Sequence, residues 1–409
     1  MSVPVLYLSY DGMTDPLGQS QVLPYICGLT QQGFKFTLIS FEKKERYVTD
    51  KSIIEDICQK NNIEWYPLMY TKKPPVLSTI NDIRQMRKLT TRLHKKNNFT
   101  IVHCRSYIAA LVGLMMKKKY GTRFIFDMRG LWADERVDGG LWPQSNFLFK
   151  TVYRFFKKKE IAFLNNADHT ISLTHNAKKE ILSWPQLKSP TIPLTVIPCC
   201  VDTEHFNPGK ISENDVTALK DRLRIKSGQT IIAYYGSIGT WYLLNEMLAY
   251  YLQQLQNNAD TIFLFVTPDL PESILKVSRS LGIPDTNLRI TSAKRSEMPG
   301  YISICDYSIF FIKPSYSKRA SSPTKQGEIM SMGKPIICNS NVGDTDLIVE
   351  EYASGYAIDH FTNSEYNKGI DKMKDYHSFD PEHIRAGALS YFSLAKGVEQ
   401  YAAIYKGLS

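Results

Sequence analysis

Short apolar runs recur along the chain, each closed by a turn and followed by residues with helical spacing. Residues 3–10, VPVLYLSY, are apolar on both sides of an extended chain, as in a strand covered on both faces. The run breaks at DGMTDPLGQSQ, continues as a helix in QVLPYICGLTQQG, and returns to a strand in FKFTLISF. Strand, glycine-containing turn, helix and strand predict a right-handed βαβ unit that opens a doubly wound parallel sheet. Further strands are predicted over 63–68, 101–105, 124–129 and 170–174, with helices between them that include the basic stretch 81–96. The alternation then restarts, with strands over 230–235, 261–266, 288–291, 308–312 and 335–339 and a helix over 243–255. Two such runs predict two Rossmann-like domains facing a cleft, with the boundary near Pro208, where proline and polar residues increase. A last helix is predicted over 390–405.

Length and charge agree with this division. A chain of 409 residues is long for one core. Lys and Arg number 50 against 40 Asp and Glu, a formal net charge of +10, which favours an anionic partner such as a nucleotide or a membrane surface. No module that binds nucleic acid is recognisable around that charge. The 7 cysteines show no metal-ligand spacing and suit a reducing cytosol. The amino terminus reads as a strand rather than a signal peptide, and no apolar run reaches the length of a membrane span.

The densest chemistry lies in SSPTKQGEIMSMGKPIICNSNVGDTD, from Ser321 to Asp346. Ser322 suits an N-cap and Pro323 the first helical position, Thr324 opens a helix over 324–332, and Gly333 suits its left-handed end. The amino end of such a helix presents free N–H groups and partial positive charge to a phosphate. Lys325 and Glu328 share a face, one suited to phosphate and the other to a ribose diol; a capped surface helix with a Lys–Glu pair reads equally well. GSIGTWY follows the first strand of the second domain, where Gly236 and Gly239 allow close backbone approach. Gly18, at the first loop-to-helix junction, offers the same.

The first domain carries FIFDMRGLWADERVDGGLW. Asp127 and Arg129 fall on one side of an extended chain, suited to an acceptor hydroxyl and a phosphate. Asp134, Glu135 and Arg136 read either as part of that site or as an ion-pair network, and His103 reads more readily as structural. Residues 146–164 place Phe149, Val152, Tyr153 and Phe156 on one helical face with Lys150, Arg154, Lys157 and Lys158 opposite. That suits an anionic lipid surface or an ordinary sheet-packing helix with a basic back.

S-P-T-K-x-x-E-x-x-x-x-G-x-P-I-I followed by G-D-T-D resembles the donor-site segment of retaining glycosyltransferases of family 4, which have the GT-B fold. VIPCCVDTEHFNP resembles the hinge of that family, and the first glycine loop resembles its amino-terminal loop. Ala320 stands where the family's signature has its first glutamate, and Ser237 and Thr240/Trp241 stand where it usually has an Arg and a Lys. Lys325 is the first substitute for those cations, with Lys313, Lys318 and Arg319 behind it.

The resemblance implies an acceptor domain over 1–208, a nucleotide-sugar domain over 209–389 and a helix over 390–409 crossing back to the first. It implies transfer from a nucleotide sugar, UDP before GDP, to a lipid-linked or glycan acceptor. No metal or other cofactor is expected, and neither is a nucleic-acid partner. Asp127, Arg129 and Lys325 would be catalytic. Gly18, Gly236, Ser237, Ser322, Pro323, Thr324, Lys325 and Glu328 would hold the donor. The expected location is cytoplasmic, peripheral on the inner face of an anionic membrane. A GT-B nucleotide-sugar epimerase and a non-catalytic membrane- or polysaccharide-binding protein are the alternatives.

Overall fold

A computed structural model describes residues 3–189 and 191–409. The chain divides into two compact units, Met1–Pro198 with Leu394–Ser409, and Cys199–Ser393. The boundary therefore falls at Cys199 rather than near Pro208. The reason is local pairing: Val201 donates its N–H to the Phe392 carbonyl and bridges Ser393, which ties this stretch to the second unit.

The first unit contains a sheet built from β1 (Val3–Ser9), β2 (Phe34–Glu42), β3 (Glu64–Met69), β4 (Ile101–Arg105), β5 (Arg123–Asp127), β6 (His169–Ser172) and β7 (Leu194–Val196). All neighbours pair in parallel, in the order β3-β2-β1-β4-β5-β6-β7. The order reverses direction between β1 and β4, and the chain ends of such a reversal open a crevice at the carboxyl edge. Leu6 sits opposite Thr37 on one side and Val102 on the other, and the middle of β1 is fully buried. Buried strands of this kind read as continuous apolar runs, which is why β1, β2 and β4 were legible.

The second unit repeats the plan with β8 (Thr230–Tyr235), β9 (Thr261–Val266), β10 (Leu288–Thr291), β11 (Tyr307–Ile309), β12 (Ile336–Asn339) and β13 (Gly355–Ile358). Its order is β10-β9-β8-β11-β12-β13, again parallel, with the reversal between β8 and β11. A single apolar core runs through it, centred on Ile232, Tyr234, Phe263, Phe265, Phe311 and Ile337. The short edge strands β7 and β13 were not anticipated; each is 3–4 residues long and carries too few alternations to announce itself.

Three local expectations need correction. The first helix is two helices, Pro16–Gln21 and Leu23–Gln31, joined at Val22. Strand β5 ends at Asp127, and Arg129 has a left-handed φ of 54°, so these two residues do not share the side of an extended segment. The last helix begins at Leu394, because Ser390 and Tyr391 still belong to the helix Pro381–Tyr391.

The Leu394–Leu408 helix is part of the first unit. Gly28 has no side chain where Val398 arrives; a Cβ there would lie 2.7 Å from a Val398 methyl. Tyr401 packs edge-on against Tyr25 at 5.3 Å and Tyr405 against Phe34 at 5.1 Å. The Tyr405 hydroxyl lies 2.5 Å from Nδ1 of His103 in β4. Removing the ring in Tyr405→Ala leaves a cavity under β1 and β2. It should lower the unfolding free energy of the first unit by about 3–5 kcal/mol, read by chemical denaturation.

Candidate functional site

In the second unit the chemistry gathers at the carboxyl end of β8. Gly236 follows the strand with φ 96°, and a Cβ at this position would point toward Lys325 Nζ at 3.7 Å. Glycine therefore relieves backbone strain where the turn passes the lysine head. The loop is pinned from below. Asp269 accepts from Ser237 Oγ at 2.8 Å and from the Ile238 N–H at 2.7 Å, while Tyr234 donates to the Ser237 carbonyl at 2.8 Å. Beyond it, Tyr242 bridges Ile312 and Lys313 donates its N–H to the Trp241 carbonyl, fastening the loop to the end of β11.

Lys325 stands in the first turn of the helix Thr324–Ser331. Its ammonium lies 3.5 Å from the centre of the Tyr242 ring and 4.1 Å from that of Tyr234. It is buried and Nζ makes no hydrogen bond. Burial pulls its pKa well below the ordinary lysine value, with the Glu328 charge opposing. Aromatic faces attract a cation by about 0.5–2 kcal/mol without accepting its protons. The Nζ hydrogens thus have no acceptor in the free protein.

Glu328, one turn further along, pairs with Arg295 at 3.1 Å. Burial raises its pKa, and Arg295 counters that shift. A second stacked cation, Lys318, sits 3.7 Å above the Trp241 ring, in the turn Tyr316–Ala320. Ala320 at the end of that turn is buried.

The helix start differs from the expectation. Pro323 is the N-cap residue, no side chain caps the helix, and Ser322 Oγ instead accepts the Cys199 N–H at 3.1 Å. Proline takes this place because its fixed φ of −68° is compatible and it has no N–H to leave unsatisfied. Gly333 does take the left-handed position after the helix, at φ 68°. Gly236, Ser237, Thr324, Lys325 and Glu328 thus gather at one end of one sheet. Arg295, Asp269 and the two tyrosines were missed. Tyr234 and Tyr242 read as ordinary apolar positions, and Asp269 and Arg295 lie in unremarkable loops.

Gly18, Asp127 and Arg129 belong to the first unit. Gly18 is required by packing, since a Cβ would lie 2.2 Å from the Gly12 carbonyl oxygen. That loop is held by the buried Glu42, which accepts from the Met13 N–H at 2.8 Å, the Thr14 N–H at 3.0 Å and the Thr14 hydroxyl at 2.6 Å. Asp127 is buried, with Arg129 Nη1 at 3.9 Å, His103 Nε2 at 3.4 Å and the Tyr401 hydroxyl at 3.4 Å. Burial opposes its charge, yet Arg129 and His103 hold the carboxyl below its ordinary range. Arg105 reaches Asp11 at 3.0 Å beside them. Asp134 and Lys157 do form an ion pair, at 2.8 Å, and Lys157 also meets the buried Glu160. Lys157 is therefore withdrawn from the basic back of its helix.

Among the described residues no group of three or more His, Cys, Asp or Glu is placed to hold a metal ion, and no helix is long and apolar enough to cross a membrane.

Two parallel-sheet α/β units of this topology are the architecture of GT-B glycosyltransferase structures. The chain is similar to a glycosyltransferase from Rickettsia africae, at 17% identity, TM-score 0.72, and coverage of 100% of this chain and 98% of that one. It is also similar to sucrose-phosphate synthase from Thermosynechococcus elongatus, at 14% identity, TM-score 0.74 and 99% coverage of both. Anabaena HepE, solved in complex with UDP and glucose, matches at 12% identity and TM-score 0.71, over 99% of this chain and 100% of that one. In sequence, residues 22–205 match Glycosyltransferase Family 4. No curated protein matches significantly.

A buried ammonium without a hydrogen-bond acceptor costs folding energy. Lys325→Met, which keeps the stem and removes the charge, should raise the thermal midpoint of the free protein, by about 1–3 kcal/mol of unfolding free energy. An unchanged or lowered midpoint in calorimetry would show that the ammonium is already compensated.

Proposed function

We propose that the chain is a retaining glycosyltransferase that takes a sugar from a UDP-sugar and moves it to a hydroxyl of a lipid-linked or glycan acceptor. The observation that carries this reading is Lys325, a buried ammonium held over two tyrosine rings beside the Gly236 turn, with no hydrogen-bond acceptor of its own. A leaving diphosphate gains negative charge as the glycosidic bond breaks, and a preorganised cation in a poorly hydrated setting stabilises that charge most where it develops. The match to Glycosyltransferase Family 4 and the UDP and glucose of the HepE complex support the same assignment.

In this reading the diphosphate meets Lys325 and the first turn of its helix, and Glu328, steadied by Arg295, accepts hydrogen bonds from the ribose diol. The acceptor hydroxyl attacks from the face the diphosphate leaves, and its proton passes to the departing phosphate oxygen. Asp127 acts through Arg129 and His103, holding their side chains in place for the acceptor. The net charge of +10 supports a location on the cytoplasmic face of an anionic membrane, with binding that weakens as salt rises.

Binding of UDP should be linked to a proton. The pKa of Lys325 is depressed in the free protein and rises when an anion arrives, so at pH values between the two, binding takes up a proton. Calorimetry in buffers of different ionisation enthalpy reads this directly. The uptake should vanish in Lys325→Met, and Lys325→Ala should weaken UDP by about 1–3 kcal/mol. Glu328→Gln should also raise the UDP dissociation constant, without unfolding the protein.

NMR of the linkage formed from an α-linked donor should show an α product. A β linkage would mean inversion. Release of an epimerised free sugar, with no linkage formed, would favour the epimerase reading.

A further inference from the structure

A cavity of about 800 Å³ in the first unit is a groove along the outer side of the sheet. Its floor is the helix Ser106–Tyr120, and its walls are the helices Leu77–Asn97 and Phe147–Leu164, which both pack on that floor. Leu111, Val112 and Met115 line the floor, with Ile83 on one wall and Val152 and Phe156 on the other. One end opens at the carboxyl edge of the sheet, at Tyr10 and Asp11 after β1 and Arg105 at the end of β4. From there it follows the floor helix from Ser106 to Met115, about 14 Å at 1.5 Å per residue, which is the reach of a medium-length hydrocarbon chain.

The charge on this apolar groove has one sign. Lys72, Arg84, Arg87, Arg105, Arg136 and Lys159 line it, against the single acid Asp11, which is already taken by Arg105. Among the described residues, Lys72, Arg84, Arg87 and Lys159 make no ion pair. Beyond Met115 the surface continues basic through Lys118 and Lys119. Apolar walls with cations along the rim and a mouth at the sheet edge suit a long chain carrying a phosphate.

We infer that this groove binds the hydrocarbon chain of a single-chain lipid phosphate or diphosphate, with the phosphate held by the cations at its rim. Naming that lipid as the carrier of the acceptor rests on the glycosyltransferase reading; the binding itself does not.

The test uses the full chain and 11-bromoundecyl phosphate below its micelle-forming concentration. Trp132 and Trp142 line the groove, and bromine quenches indole emission on contact. Saturable quenching at one equivalent is expected. Affinity should fall at least tenfold in Leu111→Glu and in the double variant Arg84→Ser/Arg87→Ser, whose arginines are exposed and whose fold near-ultraviolet circular dichroism checks. 11-Bromoundecanol should bind at least tenfold more weakly than the phosphate.

Absence of quenching, quenching equal in the charge variant, equal binding of the alcohol, or displacement by equimolar inorganic phosphate would each overturn the inference. So would a dimer, seen by sedimentation, that Leu111→Glu dissociates, since a second copy would then fill the groove. UDP titration of the same samples separates the two readings. Quenching without UDP binding would sink the glycosyltransferase reading and leave the groove standing. UDP binding without quenching would do the reverse.

Discussion

A lysine ammonium buried against two tyrosine rings, with no hydrogen-bond acceptor, is the constraint around which the second unit is arranged. Lys325 is supplied by a helix, one supporting ring by strand β8 as Tyr234, and the other by the following loop as Tyr242. Gly236 supplies the left-handed turn beside the lysine head, and Asp269 holds the loop so that Tyr242 returns over it. Burial without a counter-ion at bonding distance is unfavourable, and such a feature persists where it serves a ligand.

The first unit solves the opposite problem. Its buried carboxylates sit among donors: Asp127 lies among Arg129, His103 and Tyr401, and Glu42 is saturated with donors from the first loop. Here the carboxylates fix geometry. Glu42 shapes the loop that Gly18 packs against, and Asp127 draws in Arg129, whose left-handed backbone turns the chain at the sheet edge. The two units share a topology and differ in chemistry, with a buried cation lacking an acceptor in one and carboxylates set among donors in the other.

The absence of loop cations from the pattern that the chain resembles takes on physical meaning in this light. A loop without cations at Ser237 and Trp241 still has positive charge near it, because Trp241 and Tyr242 carry Lys318 and Lys325 on their faces. The aromatic residues of the GSIGTWY stretch thus hold cations beside the loop by stacking.

How much of this was legible depends on the range of the interactions. Buried parallel strands announce themselves as apolar runs, and glycines that end helices or turns are forced by local backbone geometry; so the two sheets, Gly333 and the position of the Lys325 helix follow from the chain itself. The sequence by itself also determined the net charge and the placement of Gly236 after β8. Only the tertiary structure decided what each polar group meets. Ser322 turned from a cap into an acceptor for Cys199, Lys157 left the solvated face for Glu160 and Asp134, and Lys325 found two tyrosines far from it in sequence. Local periodicity encodes which face of an element is buried, whereas side-chain partners across elements depend on distances that exist only once the sheets have formed.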